Sequence, residues 1–212
     1  MKTFKLLNIF KKNHGLITNS HVVLSSGKHS SSYLNKDALY PHTKVISLIC
    51  KEIAKLYENK DIDAVVSPAI GGIILSQWTA YYLSEFIKKD VLAIYTEKDE
   101  DKNQIFTRGY SDLVFNKRIL VVEDVITTGS SVIKTIQSIK KASGIVVAVC
   151  ALVNRDPDHI NSKKINFPFQ SMADYKMESW EEKDCPLCIK GIKINTSVGH
   201  GKKYLENKGI KP

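Results

Sequence analysis

Between Ile119 and Ser131 the chain reads ILVVEDVITTGSS, and three chemical features follow one another there. Ile119–Val122 is an uninterrupted apolar run, as in a strand buried on both faces of a parallel sheet. Glu123 and Asp124 leave that run as adjacent carboxylates. At the carboxyl end of a strand in an open α/β sheet, such groups face the ligand crevice. Thr127, Thr128, Gly129, Ser130 and Ser131 then supply hydroxyls and backbone N–H groups at a helix N-terminus. Those donors and the helix dipole favour a phosphate. Gly129 has no Cβ, so the main chain can approach the phosphate closely. The Thr-Thr-Gly-Ser-Ser piece alone would serve as a helix cap. Two acids plus a cradle exceed what capping needs, so the segment points to capture of a phosphorylated small molecule.

Other stretches carry weaker signals. Ser67–Ile73 (SPAIGGI) is a turn between a strand and a helix, and Leu24–Asn35 (LSSGKHSSSYLN) contains a Ser/Gly-rich turn. Glu97–Gln104 (EKDEDKNQ) is charged and lacks an apolar anchor, so it reads as a mobile loop. Arg155 follows an apolar strand, and a guanidinium fork suits a planar carboxylate. Cys185 and Cys188 form a C-x-x-C, half of a zinc site. His200 would be a third ligand but no fourth is evident, so no structural zinc is expected and no metal ligands are assigned.

These groups need elements to hold them. Phe4, Leu6, Leu7, Ile9 and Phe10 form a helical apolar face ending near Gly15. Val22–Leu24 and Tyr33–Leu34 are short β-prone pieces. Thr43 is a plausible N-cap for a helix carried by Val45, Ile46, Ile49, Ile53, Leu56 and Tyr57. Strands are expected at Asp63–Ser67, Val91–Tyr95, Arg118–Glu123 and Ile145–Asn154, with one more near Phe167, Phe169 and Met172. Helices are expected over Ile73–Phe86 and from Thr127–Ser131 to about Lys141. Strands alternating with helices imply an α/β fold: a central, mostly parallel sheet flanked by helices. The expected organisation is a single domain over 1–212. Residues 1–40 form an N-terminal helix and hood, 41–172 the core and 173–212 a C-terminal appendage.

The balance of 31 Lys plus Arg against 22 Asp plus Glu gives a formal charge of +9, which suits a polyanionic partner. The lysines are scattered and no aromatic residues interleave with basic clusters, so a nucleic-acid partner is not expected. No secretory signal or membrane-spanning run is read. Cys50 and Cys150 sit in apolar runs as small buried hydrophobes, and a reducing cytoplasm is expected.

The thirteen-residue segment closely resembles the phosphoribosyl-pyrophosphate signature of type I phosphoribosyltransferases. In that family the acids hold the ribose hydroxyls, directly or through metal-bound water, and the loop holds the 5′-phosphate. The resemblance implies the first role for Glu123 and Asp124, and the second for Val125, Ile126, Thr127, Thr128, Gly129, Ser130 and Ser131. Four further stretches resemble orotate phosphoribosyltransferases, so the likeness spans most of residues 20–155. The Leu24–Asn35 stretch resembles a hood over the base, with Tyr33 at its aromatic position. Ala69, Ile70 and Gly71 match a turn whose backbone donors receive pyrophosphate, and Arg155, with Thr127, matches the site for the orotate carboxylate. Residues 97–107 match a catalytic lid, implying Lys98 and Lys102 as the lysines that neutralise the leaving pyrophosphate, with Arg108 a further candidate. This lid has no histidine and several acids, unlike the usual one, and Gly71-Gly72 stand where some relatives carry a lysine. The resemblance implies Mg²⁺ bound mainly through the substrate, a homodimer, and transfer of phosphoribosyl from phosphoribosyl pyrophosphate to orotate with Asp124 among the catalytic residues. Alternatives are a purine or other base phosphoribosyltransferase, or a nucleic-acid-binding regulator of the same fold that senses the donor.

Overall fold

The computed structural model describes residues 3–24 and 26–211; Ser25, within the hood stretch, and the Phe4 side chain lie outside the described residues. Along the chain run α1 (Thr3–Lys12), β1 (Leu16–Ile17), β2 (Val22–Val23), β3 (His29–Ser30), β4 (Tyr33–Leu34), α2 (Thr43–Tyr57), β5 (Ala64–Pro68) and α3 (Gly71–Ile87). There follow β6 (Leu92–Lys98), β7 (Gln104–Ile105), α4 (Tyr110–Val114), β8 (Arg118–Ile126), α5 (Ser130–Lys141) and β9 (Ile145–Asn154). The chain closes with α6 (Ser162–Ile165), β10 (Phe169–Asp174), α7 (Pro186–Ile189) and α8 (Gly201–Asn207). It divides into two compact units: Met1–Leu6 with Leu39–Tyr175, and Leu7–Ala38 with Lys176–Pro212.

The first unit is built on a six-stranded sheet of order β10-β9-β8-β5-β6-β7. All neighbours pair in parallel except β7, which returns antiparallel on β6. Residues 119–122 of β8 are fully buried. Ile119 and Val121 join the core formed with Val132, Ile136 and Ile139 of α5. Leu120 and Val122 point the other way, because successive strand residues alternate faces, and they are equally buried. Helices therefore cover both faces, which is why these strands read as continuous apolar runs rather than alternating ones. From β5 the chain passes to β6 on one side, then returns to β8 on the other. The crevice between the carboxyl ends of β5 and β8 is thus the topological switch point of the sheet, the place where ligands bind in this architecture.

Several boundaries differ from expectation. β8 runs through Ile126 rather than ending at Glu123, because Glu123, Val125 and Ile126 stay in register with Ala151, Val153 and Asn154 of β9. Thr43 is the first helical residue of α2 and not its cap; His42 precedes it and makes no side-chain capping bond. The segment 97–104 is no free loop but a hairpin. Lys98 pairs with Gln104, and Asp99 closes the turn by accepting the Asn103 N–H at 2.7 Å. Its anchor is polar, which the search for apolar residues missed. Gln104 is buried, and its side-chain oxygen accepts from the Thr96 hydroxyl at 2.8 Å.

In the second unit β1 pairs with β4 and β2 with β3, both antiparallel. Strands of two residues cannot support themselves, and segments from the far end of the chain complete them. His29 exchanges two backbone hydrogen bonds with Trp180, both 2.8 Å, and the His21 carbonyl accepts from Asn195 N–H at 2.7 Å. Here the donor set read from sequence is corrected: two further donors, His21 and His29, stand beside Cys185 and Cys188, while His200 is not in the group. Among the described residues, no helix is long and apolar enough to cross a membrane.

Candidate functional site

The site forms where β8 reaches the switch point. Glu123 and Asp124 are only 7% and 6% exposed, so each carboxylate needs partners. Oε1 of Glu123 accepts the Asp124 N–H at 3.0 Å, and Oδ1 of Asp124 accepts the Val125 N–H at 2.5 Å. Being consecutive on a strand, the two acids face opposite sides. Glu123 lines a concavity of about 200 Å³ together with residues 125–132, the stretch expected from sequence to form a phosphate cradle. Asp124 is absent from that lining and instead receives Tyr40, whose hydroxyl lies 3.4 Å from Oδ2. The two carboxylates therefore border different parts of the cleft.

The cradle is shaped by Gly129, which caps α5 at φ 77° and ψ 0°. That left-handed geometry is strained for a residue with a Cβ. An added Cβ would meet Ile165 Cδ1 at 3.2 Å. Glycine is therefore required here by backbone conformation and by packing on its core side, in addition to any approach by a ligand. Thr127, Thr128 and Ser130 are exposed, and the Ser130 N–H leans on the Thr128 hydroxyl at 3.4 Å. The first N–H groups of the twelve-residue α5 open here with the positive end of its dipole.

Across the crevice, Ala69, Ile70 and Gly71 form the turn from β5 into α3, with a cis peptide between Ala69 and Ile70. The Ala69 N–H is held by Thr96 O at 2.7 Å, and Ile70 is 85% exposed. A Cβ on Gly72 would lie 2.5 Å from Ser67 Cβ, so close strand–helix packing leaves no room for a larger residue there. Tyr40 donates to the Gly71 carbonyl at 2.5 Å as well as facing Asp124. Sequence reading missed Tyr40; its only signal is an aromatic before Pro41, in no motif.

Arg155 follows β9, and its backbone N–H binds Ile126 O at 2.8 Å, which sets it beside the entry to the cradle. Lys98 and Lys102 are exposed on the hairpin and line no part of the 200 Å³ concavity. The hairpin instead docks on α5. Lys134 Nζ donates to Lys102 O at 2.7 Å, and the Ser138 hydroxyl donates to Gln104 O. At its base the Thr107 hydroxyl and then Arg108 hold the Glu97 carboxyl below its ordinary value, and Arg108 lies 3.5 Å from Glu97. A larger hollow of about 310 Å³ opens beside Asp99, Gln104 and Lys134; it marks the seam under the hairpin and includes none of the acids or cradle residues. Tyr33 is on β4 of the second unit, paired with Ile17.

The chain matches the family described as "Phosphoribosyl transferase domain" over residues 35–183. It is 34% identical over 194 residues to the orotate phosphoribosyltransferase of Thermoanaerobacter sp. (strain X514), covering 92% of this chain and 96% of that protein. The orotate phosphoribosyltransferase of Thermotoga maritima is 32% identical over 191 residues, covering 89% and 95%. The crystal structure of Mycobacterium tuberculosis H37Rv orotate phosphoribosyltransferase superposes with a TM-score of 0.63 at 21% identity, over 80% of this chain and 94% of that one. An adenine phosphoribosyltransferase from Thermoanaerobacter pseudethanolicus also superposes, with a TM-score of 0.54 at 16% identity over 68% and 88%. Fold likeness alone therefore does not choose the base.

Proposed function

The chain belongs to the phosphoribosyltransferase family, and from that premise we propose that it transfers a phosphoribosyl group from phosphoribosyl pyrophosphate to orotate, giving orotidine 5′-phosphate and pyrophosphate. One observation carries the reading: a buried acid pair near the end of β8 is followed by a hydroxyl-rich glycine turn at the N-terminus of α5, at the switch point and opposite a second glycine turn. The choice of orotate rests on relatives about one-third identical along nearly their whole length.

In this reading residues 125–131 take the 5′-phosphate, and Glu123 and Asp124 take the ribose hydroxyls. Ala69, Ile70 and Gly71 receive the pyrophosphate. Arg155 and Thr127 meet the orotate carboxylate. The anomeric carbon is attacked by a ring nitrogen of the base as pyrophosphate departs, so the protein's task is to position two substrates and stabilise charge on the leaving group. Lys98 and Lys102 supply positive charge from the hairpin. A hairpin that closes over the bound donor would bring them to the departing pyrophosphate. The acids at the cleft are hard oxygen donors, which suit Mg²⁺ arriving with the donor. When bound, that ion neutralises charge on the pyrophosphate. A homodimer and a cytoplasmic location are part of the same proposal, consistent with four free cysteines.

The test is pyrophosphate release from phosphoribosyl pyrophosphate and Mg²⁺ with orotate, uracil, adenine and hypoxanthine offered in turn. Turnover with orotate alone is expected. Turnover with a purine instead would move the chain to another branch of the family. Donor binding without release on any base would make it a sensor rather than an enzyme.

A further inference from the structure

Four side chains of the second unit converge on one point. Nε2 of His21 lies 2.8 Å from Nδ1 of His29 and 3.7 Å from Sγ of both Cys185 and Cys188; Cys188 Sγ lies 3.3 Å from His29 Nδ1. All four donor atoms fall within 4.8 Å of one another. His21, His29 and Cys185 are buried, with 2%, 0% and 0% exposure. From this geometry we propose that the chain binds one structural Zn²⁺ through His21, His29, Cys185 and Cys188.

The distances suit the ion. Tetrahedral zinc with Zn–S about 2.3 Å and Zn–N about 2.0–2.1 Å places its donors about 3.3–3.8 Å apart. Three of the four separations above fall in that range, and the two rings need part by only about 0.5 Å to reach it. Two soft thiolates with two imidazoles select zinc over magnesium or calcium. Four protein donors close the coordination shell and leave no position for a substrate, so the site is structural rather than catalytic.

The surroundings orient His21 as a metal requires. His21 Nδ1 stands 2.6 Å from the Ile192 carbonyl. That carbonyl can only accept, so Nδ1 carries the proton and Nε2 presents its lone pair to the cluster. A ligating histidine is commonly fixed in this way by its other nitrogen. The His29 ring is set edge to face against Tyr204, centroids 5.1 Å apart at 82°, with Nδ1 toward Cys188 Sγ. Ile192 itself is positioned by the turn after the C-x-x-C, its N–H bonded to Leu187 O at 2.9 Å.

The unit also needs such a cross-link. It is assembled from Leu7–Ala38 and Lys176–Pro212, on strands of two residues each, with few buried apolar side chains. A unit this small rarely holds together by its apolar core alone, and a metal is one of the usual supplements. Here the ion ties a segment near the start of the chain to one near its end.

The experiment is metal analysis of the full chain purified without chelator, then chelator stripping and reloading with Co²⁺. About one zinc per chain is expected, and the cobalt form should show the d–d bands of a tetrahedral site with a thiolate-to-cobalt charge-transfer band. Cys185→Ser with Cys188→Ser should lose the metal and the charge-transfer band, and His21→Ala should weaken zinc binding at least tenfold. His200→Ala should retain one zinc per chain. Should the cysteine variant not fold, the zinc content and cobalt spectrum of the unmodified chain still decide. The absence of stoichiometric zinc together with a featureless cobalt spectrum would overturn the proposal. So would a Cys185–Cys188 disulfide in the metal-free native protein, or loss of zinc in His200→Ala.

Discussion

The phenol of Tyr40 stands 2.5 Å from the carbonyl of Gly71 and 3.4 Å from Oδ2 of Asp124, so one hydroxyl spans the crevice between the turn after β5 and the acid on β8. A single proton cannot serve both acceptors fully, and the shorter contact takes it. Tyr40 is thus a positioning residue that couples the two walls of the cleft. A hydrogen bond of this kind contributes about 0.5–1.5 kcal/mol, or about 1.5–3 kcal/mol toward a charged group. Tyr40→Phe should therefore raise the KM for phosphoribosyl pyrophosphate roughly three- to tenfold, with the KM for orotate little changed and the fold retained. Steady-state kinetics with both substrates varied will check this. An unchanged donor KM would reduce Tyr40 to packing.

Gly129 separates conformation from ligand approach. Its φ of 77° should penalise any residue with a Cβ, and valine most, since a branched Cβ also crowds Ile165. The left-handed conformation costs about 1–2 kcal/mol, which lowers Tm by roughly 2–8 °C in a chain of this size. Asparagine tolerates that conformation better than valine. Gly129→Asn should therefore stay closer to the parent Tm than Gly129→Val, while both weaken donor binding by calorimetry. Equal Tm for all three proteins would contradict the conformational argument.

The docked hairpin sets a third expectation. Lys134→Ala removes the donor to Lys102 O, so amide hydrogen exchange across residues 99–103 should quicken while β8 stays protected. Acid should act in the same direction. A carboxyl held below its ordinary value contributes stability that is full above that value and fades as pH falls through the lower folded one. Glu97, whose ordinary value is 4.5, should thus release the base of the hairpin only below that pH. Exchange in the hairpin that is indifferent to both changes would mean that other contacts hold it.

Lys102→Ala and Arg155→Ala should part catalysis from base choice. Lys102→Ala should lower kcat far more than it raises the orotate KM, because the charge it meets develops as pyrophosphate leaves. Arg155→Ala should raise the orotate KM about tenfold or more, from the loss of about 1.5–3 kcal/mol of charged hydrogen bonding, and leave donor binding nearly intact. If orotate kinetics ignore Arg155, the base assignment fails while the donor assignment stands.

Much of this architecture was legible in the residue order. The strand expected at Ile145–Asn154 is β9, end to end. The placement of the acid pair at the end of a strand and of the glycine turn at a helix N-terminus was readable for the same reason: local patterning records what happens within a few residues. The hairpin was misread because burial was sought in apolar side chains, whereas Gln104 is buried through hydrogen bonds to partners that no hydropathy pattern marks.

What lay beyond the sequence is contact between distant residues. Tyr40 meets Asp124 across 84 positions, and His21 meets Cys185 across 164. A histidine in a Ser-rich turn and a C-x-x-C in a polar tail each look incomplete alone. Neither residue's neighbours along the chain are its neighbours in space. Periodicity and spacing report the local backbone; which lone donors share one buried point is decided only when the chain's two ends are folded together.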